Sequence, residues 1–369
     1  KELNLPDSLE NIGSSAFNGC KSLSSIKFPK GLESIGDHAF IGCIFLEEIT
    51  INSQLQILGD SAFAGITALK NVIFEERTTP ITIGYRTFNN CTGLTDFDFS
   101  CVGLIDTEGF ANCTGFTSII LPEEPNITIK SGAFSGCSNI KTVKFPDYIS
   151  KIPDHCFENC TSLEHIETAQ LETIGSFAFR NCTSLRDISF ATDNNISWVG
   201  REAFYNCELL TEISLHNAKS VLASAFENCY NLSKVTFGEN LKDIGEKAFY
   251  NCYYLTEVSL FNVGYVDSQA FENCYSLSSV TFKEGLKTIE ERAFFNCFSL
   301  YEIYIPKTVE LIGSMALGCF EEEGQYYIYT DFTVLGDPES LAPKYAEAYE
   351  MQYALPDVQL SSISNTADG

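Results

Sequence analysis

Fifteen cysteines and four histidines are the side chains of this 369-residue chain best suited to thiol or metal chemistry. Their spacing argues against both uses. No Cys-x-x-Cys occurs, the nearest pair is Cys156 and Cys160, and of the scattered His38, His155, His165 and His216 only His155 and His165 flank that pair. A secreted chain this rich in cysteine would ordinarily suggest disulfides. Here, however, one cysteine recurs at a fixed place in a repeating unit, the pattern expected of a buried ladder of small apolar side chains. Ile66 fills the same slot with an aliphatic group, and Cys156 falls in a column otherwise held by Ala16, Ala39, Ala133 and Ala178. Neighbouring units would still lie within disulfide range.

Other catalytic patterns are absent from the sequence: it has no G-x-S-x-G, H-E-x-x-H, P-loop or G-x-G-x-x-G. No enzymatic activity and no cofactor are therefore expected. The 49 acidic against 23 basic residues give a net charge of −26. Such a surface repels nucleic acid and anionic lipid, and leaves Ca²⁺ or a basic partner open. No apolar run is long enough to span a membrane.

The positions that matter are set by a repeat. A-F-x-x-C-x-x-L returns every 22 to 25 residues, with phenylalanines from Phe17, Phe40 and Phe63 through Phe249, Phe271 and Phe294. Three residues later stand Cys20, Cys43, Ile66, Cys91 and so on to Cys297, and a degenerate last unit ends at Cys319. Aliphatic columns share the register: Leu23 to Leu300, Ile26 to Ile303, and, before the phenylalanine, Ile12, Ile35, Leu58 and onward. The I-x-F alternation predicts a strand with inward side chains, closed by Pro29, Pro122, Pro146 or Pro306. The A-F-x-N-C stretch is expected to return the chain through a tight helical or 3₁₀ turn. Glycines 13, 36, 175, 245 and 313 are expected to supply positive φ. One unit cannot enclose a core, so units must stack. The fold class is a leucine-rich-repeat solenoid of about fourteen coils of 22–25 residues, with a parallel sheet on the concave face and short turns or 3₁₀ segments opposite.

The unit L-x-x-I-G-x-x-A-F-x-N-C-x-S-L-x-x-I-x-F-P resembles the BspA-like class of leucine-rich repeats over about residues 1–320. The resemblance implies a surface or secreted protein of a host-associated microbe, in some cases an adhesin for matrix proteins, and brings no catalytic residues. This chain departs from the pattern at Ile66, at Thr168 (where the strand's second apolar residue belongs) and in the fourteenth unit.

Three domains are expected. The solenoid covers 1–320 and begins inside a repeat; a cap of strand, short helix and strand covers 321–360; a disordered tail covers 361–369. Binding positions follow from the outward columns. On the strand face these include Asp96, Asp98, His165, Glu167, Asp187, Glu212, Glu257, Glu302 and Tyr304. Beside the buried cysteines an aromatic ladder emerges late in the chain: Tyr205, Tyr230, Tyr250, Tyr253, Tyr254, Tyr275, Phe298 and Tyr301. Aromatic ladders at a surface suit protein partners, although lateral stiffening explains them equally. Of seven N-x-S/T sequons, four (Asn90, Asn112, Asn159, Asn181) arise from the repeat itself, and no glycosylation is read from them. The expected function is a monomeric, non-enzymatic binding module, extracellular or on the cell surface, recognising protein or glycan from host or neighbouring cells, without nucleic-acid binding or membrane insertion. The alternative is a structural spacer that displays something else.

Overall fold

The computed structural model describes residues 2–124, 126–190 and 195–356. The chain is a parallel β-solenoid and divides into two compact units, residues 1–170 with 177–192, and 171–176 with 193–369. The predicted tail at 361–369 and the last part of the predicted cap lie outside the described residues.

The expected strand forms in the coils on either side of Asp96 and Asp98 but not in theirs. In the first unit Ser118–Ile120, Thr142–Lys144, His165–Thr168 and Asp187–Phe190 form one parallel sheet. In the second unit Glu212–Leu215 pairs with Lys234–Phe237, and Glu257–Leu260 with Ser279–Phe282. A second ladder appears where the sequence showed only a lone aliphatic column. It consists mainly of two-residue strands such as Asn11–Ile12, Ser34–Ile35 and Ile57–Leu58 in the first unit, and Ser220–Val221, Asp243–Ile244 and Tyr265–Val266 in the second.

The return segment is a run of turns. The 3₁₀ helix among the described residues, Phe99–Cys101, lies on the strand side. Alternate return-side amides leave the coil: Ser15, Phe17 and Gly19 donate to the carbonyls of Asp37, Ala39 and Ile41, each at 2.8 Å. Two residues per coil adopt positive φ to allow this. One precedes the phenylalanine by two and is of almost any type, for example His38, Arg86, Phe177 and Lys247. The other follows it by two and is glycine or asparagine, for example Gly42, Asn90, Asn228 and Asn251.

The columns named in the sequence fill the interior. Phe40, Phe63, Phe88 and Phe110 stack nearly parallel at 5.3–5.6 Å between centroids and are fully buried, as are Phe226, Phe249 and Phe271 at 5.1 Å. Burying each such ring contributes about 2–3 kcal/mol. The turn glycines work differently from the expectation. Gly13, Gly36, Gly245 and Gly313 do not have positive φ. Gly13 has open space around it, whereas at Gly36, Gly245 and Gly313 the preceding coil comes too close for a side chain: a Cβ on Gly36 would lie 2.6 Å from Ser14 N, and one on Gly313 2.3 Å from Glu291 N.

The asparagines carry a ladder of their own. Asn228 Nδ2 donates to Asn206 Oδ1 at 2.8 Å, and Asn251, Asn273 and Asn296 continue the chain at 2.7 Å per step. At the end of the second unit a different device takes over. The coil at Met315–Leu317 presents its return-side amides to the seven-residue helix Ala342–Ala348 and the turn after it: Met315 N donates to Tyr349 Oη at 2.9 Å and Leu317 N to Tyr345 Oη at 3.0 Å. The strand Thr333–Gly336 lies between Glu302–Ile305 and Gln352–Ala354.

Two substitutions test this account. Asn251→Ala breaks two ladder bonds and removes the short polar side chain that lets asparagine hold positive φ, costing about 3 kcal/mol, whereas Asn251→Gly breaks the same bonds but suits that backbone and costs about 1 kcal/mol. Urea midpoints of the two variants measure the difference, and equal midpoints would remove the backbone contribution. Thr168 is buried and its hydroxyl has no partner among the described residues, so Thr168→Val should raise the midpoint, by about 1 kcal/mol in stability.

Candidate binding surfaces

The cysteine column settles what the thiols can do. Thiols along the column donate to the phenylalanine carbonyl of the preceding coil: Cys43 Sγ to Phe17 O at 3.2 Å, Cys137 to Phe110 O and Cys229 to Phe204 O at 3.1 Å. Such a bond needs the protonated thiol. Burial pushes Cys91 and Cys137 up to about 12 and Cys43 up to about 11, and raises Cys160 and Cys252 further. All fifteen cysteines are free thiols; Cys20 is exposed, and Cys101, outside the column, is half-buried. Cys156 and Cys160 are in the core, while His155 stacks on Phe177 and pairs with Glu158 at 2.7 Å and His165 pairs with Asp187, so these four side chains do not converge. Among the described residues no three His, Cys, Asp or Glu side chains gather to hold a metal ion.

On the strand face the structure brings together His165 with Asp187, and Glu167 with Lys144 at 3.0 Å. These are exposed pairs of small energetic weight. Glu212, Glu257 and Glu302 each open a strand and point to solvent. Tyr304 is half-buried, with its hydroxyl 3.5 Å from Glu284, and burial with that carboxylate raises its pKa. Asp96 and Asp98 are exposed. Their coil forms no strand there: Asp96 accepts from Phe97 N at 2.9 Å, and Asp98 caps the 3₁₀ helix by accepting from Ser100 N at 2.9 Å. Each of the two carboxylates thus bonds a backbone amide of its own coil.

The aromatic ladder is one continuous row in the second unit. Tyr230, Tyr253 and Tyr275 stack at 5.0 and 4.7 Å with interplanar angles of 20° and 3°, and Phe298 follows at 5.2 Å. Ring faces cover one another, so the row shows solvent its edges and hydroxyls. Burial and the neighbouring tyrosines raise the pKa values of Tyr230 and Tyr275. Tyr254 and Tyr301 stand beside it, 58% and 69% exposed. Tyr205 and Tyr250 belong to a different column; Tyr250 is half-buried under Lys247, whose Nζ lies 5.7 Å from the ring centroid. The sequence reading missed the row's continuation: Phe298 meets Phe320 at 6.0 Å, and Phe320 stacks on Tyr329 at 4.4 Å and Tyr327 at 5.2 Å. Phe320 directly follows Cys319, as the other members follow their cysteines, so the signal was in the sequence. Tyr327 and Tyr329 come from a hairpin that the repeat does not encode.

Comparison with known proteins fits this geometry. A family model described as a BspA type leucine rich repeat region (6 copies) matches residues 1–115, 103–220 and 197–322. Among solved structures, a leucine-rich repeat protein from Bacteroides ovatus is 24% identical over 96% of this chain and 92% of its own, with a TM-score of 0.62. One from Eubacterium ventriosum is 23% identical over 83% and 87%, with a TM-score of 0.49. A leucine rich cell surface protein from Faecalibacterium prausnitzii is 21% identical over 77% and 83%, with a TM-score of 0.37. The Bacteroides ovatus likeness is one of fold. No curated protein matches the chain.

The thiols make a pH prediction. An unfolded chain releases these protons near pH 8.5, the folded chain only at about 11 or above. Between those values the folded state holds more protons. Stability is therefore full below about pH 8.5 and falls as the pH rises, by about 1.4 kcal/mol per buried thiol per pH unit. Urea midpoints at pH 8 and pH 10 should differ sharply; a flat profile would mean that the thiols ionise in place.

Proposed function

Because the chain belongs to the BspA-type leucine-rich repeat family, we propose that it is a non-enzymatic binding module, secreted or displayed on a cell surface, that recognises protein or glycan from a host or a neighbouring cell. The observation that carries this is the neutral aromatic row from Tyr230 to Phe298 on a chain of net charge −26. Its neighbouring positions are Asn231, Ser233, Tyr254, Thr256, Ser276, Ser278, Ser299 and Tyr301, without a lysine or arginine among them. Tyrosine, serine and asparagine in such proportion are the composition of antibody contact surfaces: broad amphipathic area at little entropic cost. The stacked rings have lost side-chain freedom before any partner arrives, which lowers the cost of association. Covered ring faces are poor platforms for sugar rings, so protein is the favoured ligand.

The spacer reading draws on the strand face, where His165–Asp187 and Lys144–Glu167 pair with each other. One experiment separates the two. The purified chain is applied to an array of matrix proteins and glycans, with and without Ca²⁺, beside the triple variant Tyr230→Ser, Tyr253→Ser, Tyr275→Ser. A binder gives a saturable hit that the variant weakens about tenfold or more while its secondary structure is retained. Silence across the array favours the spacer, and a hit untouched by the variant moves the contact elsewhere.

A further inference from the structure

The hairpin that extends the aromatic row has an unguarded edge. Its strands, Cys319–Glu322 and Gln325–Ile328, pair antiparallel in a regular register. Tyr329 N donates to Gly318 O at 2.9 Å, which makes Tyr327–Phe320 and Gln325–Glu322 the hydrogen-bonded pairs. The backbone groups of Cys319 and Glu321 therefore point away from the partner strand, and both find Asn296: Asn296 N donates to Cys319 O at 3.0 Å and Glu321 N to Asn296 Oδ1 at 2.9 Å. By the same alternation the N–H and C=O groups of Tyr326 and Ile328 point outward on the opposite side, where no partner stands among the described residues.

Edge strands are normally blunted by lysine, proline or a bulge. Gln325-Tyr326-Tyr327-Ile328 has none of these, and all four residues are exposed. The edge is held in place by Asn296 and by Phe320 packed on Tyr329 and Phe298. Charge selects the occupant. Glu321, Glu322 and Glu323 are exposed on the hairpin, and Arg292, the cation beside it, is engaged by Glu272 at 2.7 Å and reaches only Glu321 of the three, at 4.0 Å. A second copy of the chain would set these carboxylates against their equivalents; a lysine-bearing strand would complement them.

We propose that the outer edge of Gln325–Ile328 takes up an extended basic segment of a partner polypeptide as an added β-strand. This deepens the binding reading by naming the partner's chemistry. The probe is a short fluorescent peptide alternating lysine and valine, titrated by anisotropy onto the full chain. Saturable binding is expected, and N-methylation of every second peptide nitrogen should weaken it about tenfold or more, because methylation removes the strand's hydrogen bonds but not its charge. Tyr326→Pro, which deletes one outward N–H, and Glu322→Lys should each weaken it as well. If Tyr326→Pro fails to fold, the methylated peptide on the unaltered chain carries the test. Equal affinity for the methylated peptide, or for one alternating glutamate and valine, overturns the proposal. So does self-association of the unaltered chain in sedimentation that Tyr326→Pro abolishes. An array ligand whose binding Tyr326→Pro leaves unchanged removes the edge as its site and leaves the binding reading intact.

Discussion

Along most of the chain the return-side phenylalanine carbonyl is met once by its own backbone, and a thiol from the next coil supplies a second bond. Phe17 O accepts Cys20 N at 3.1 Å and Cys43 Sγ at 3.2 Å. A cysteine answers this need better than its near relatives. Alanine offers no donor, serine carries a larger desolvation cost into the core, and valine adds bulk against the stacked rings. The interaction is weak individually. It recurs with the coil spacing, so the cysteine, the phenylalanine stack and the close glycine contact are satisfied by the same separation. Ile66 marks the tolerance: there Phe40 O keeps Cys43 N at 3.1 Å as its bond among the described residues, and the hydrophobic slot alone holds the register.

The surfaces inherit that separation. Tyrosines placed once per coil have little choice but to stack face to face at 4.7–5.0 Å. Carboxylates on the strand face recur at the same interval, which is why a histidine or lysine between them is drawn into a pair. Whatever binds meets side chains arrayed by backbone geometry, with specificity set by which coils carry aromatic, hydroxyl or charged residues.

Much of this could be read from the sequence, because buried positions tolerate few residue types. The phenylalanine, cysteine and aliphatic columns announced the coil, its length and its strand. Other features left no such mark. The position two before the phenylalanine has positive φ in His38, Arg86, Phe177 and Lys247 alike; its side chain contributes little to the core, so its identity drifts while its backbone does not. Two-residue strands such as Ser34–Ile35 are too short to show alternation. Asp96 and Asp98 kept their columns while their coil gave up its strand for a 3₁₀ helix, a choice made by local capping. The glycine column was visible, but its cause was contact with the coil below rather than unusual torsion. The aromatic row was legible up to Phe298 and ran on into a hairpin outside the repeat.

Tyr345 and Tyr349 stand in for a coil that is not there. Their hydroxyls accept the amides of Met315 and Leu317, which elsewhere seek the next return segment. Interior coils, by contrast, bond through these amides to another coil. A gene encoding such a chain can gain or lose one repeat by unequal recombination at an internal site without disturbing the terminal closure. The number of coils, and with it the reach of the exposed columns, is thus free to vary in lineage while the chemistry that ends the stack remains fixed.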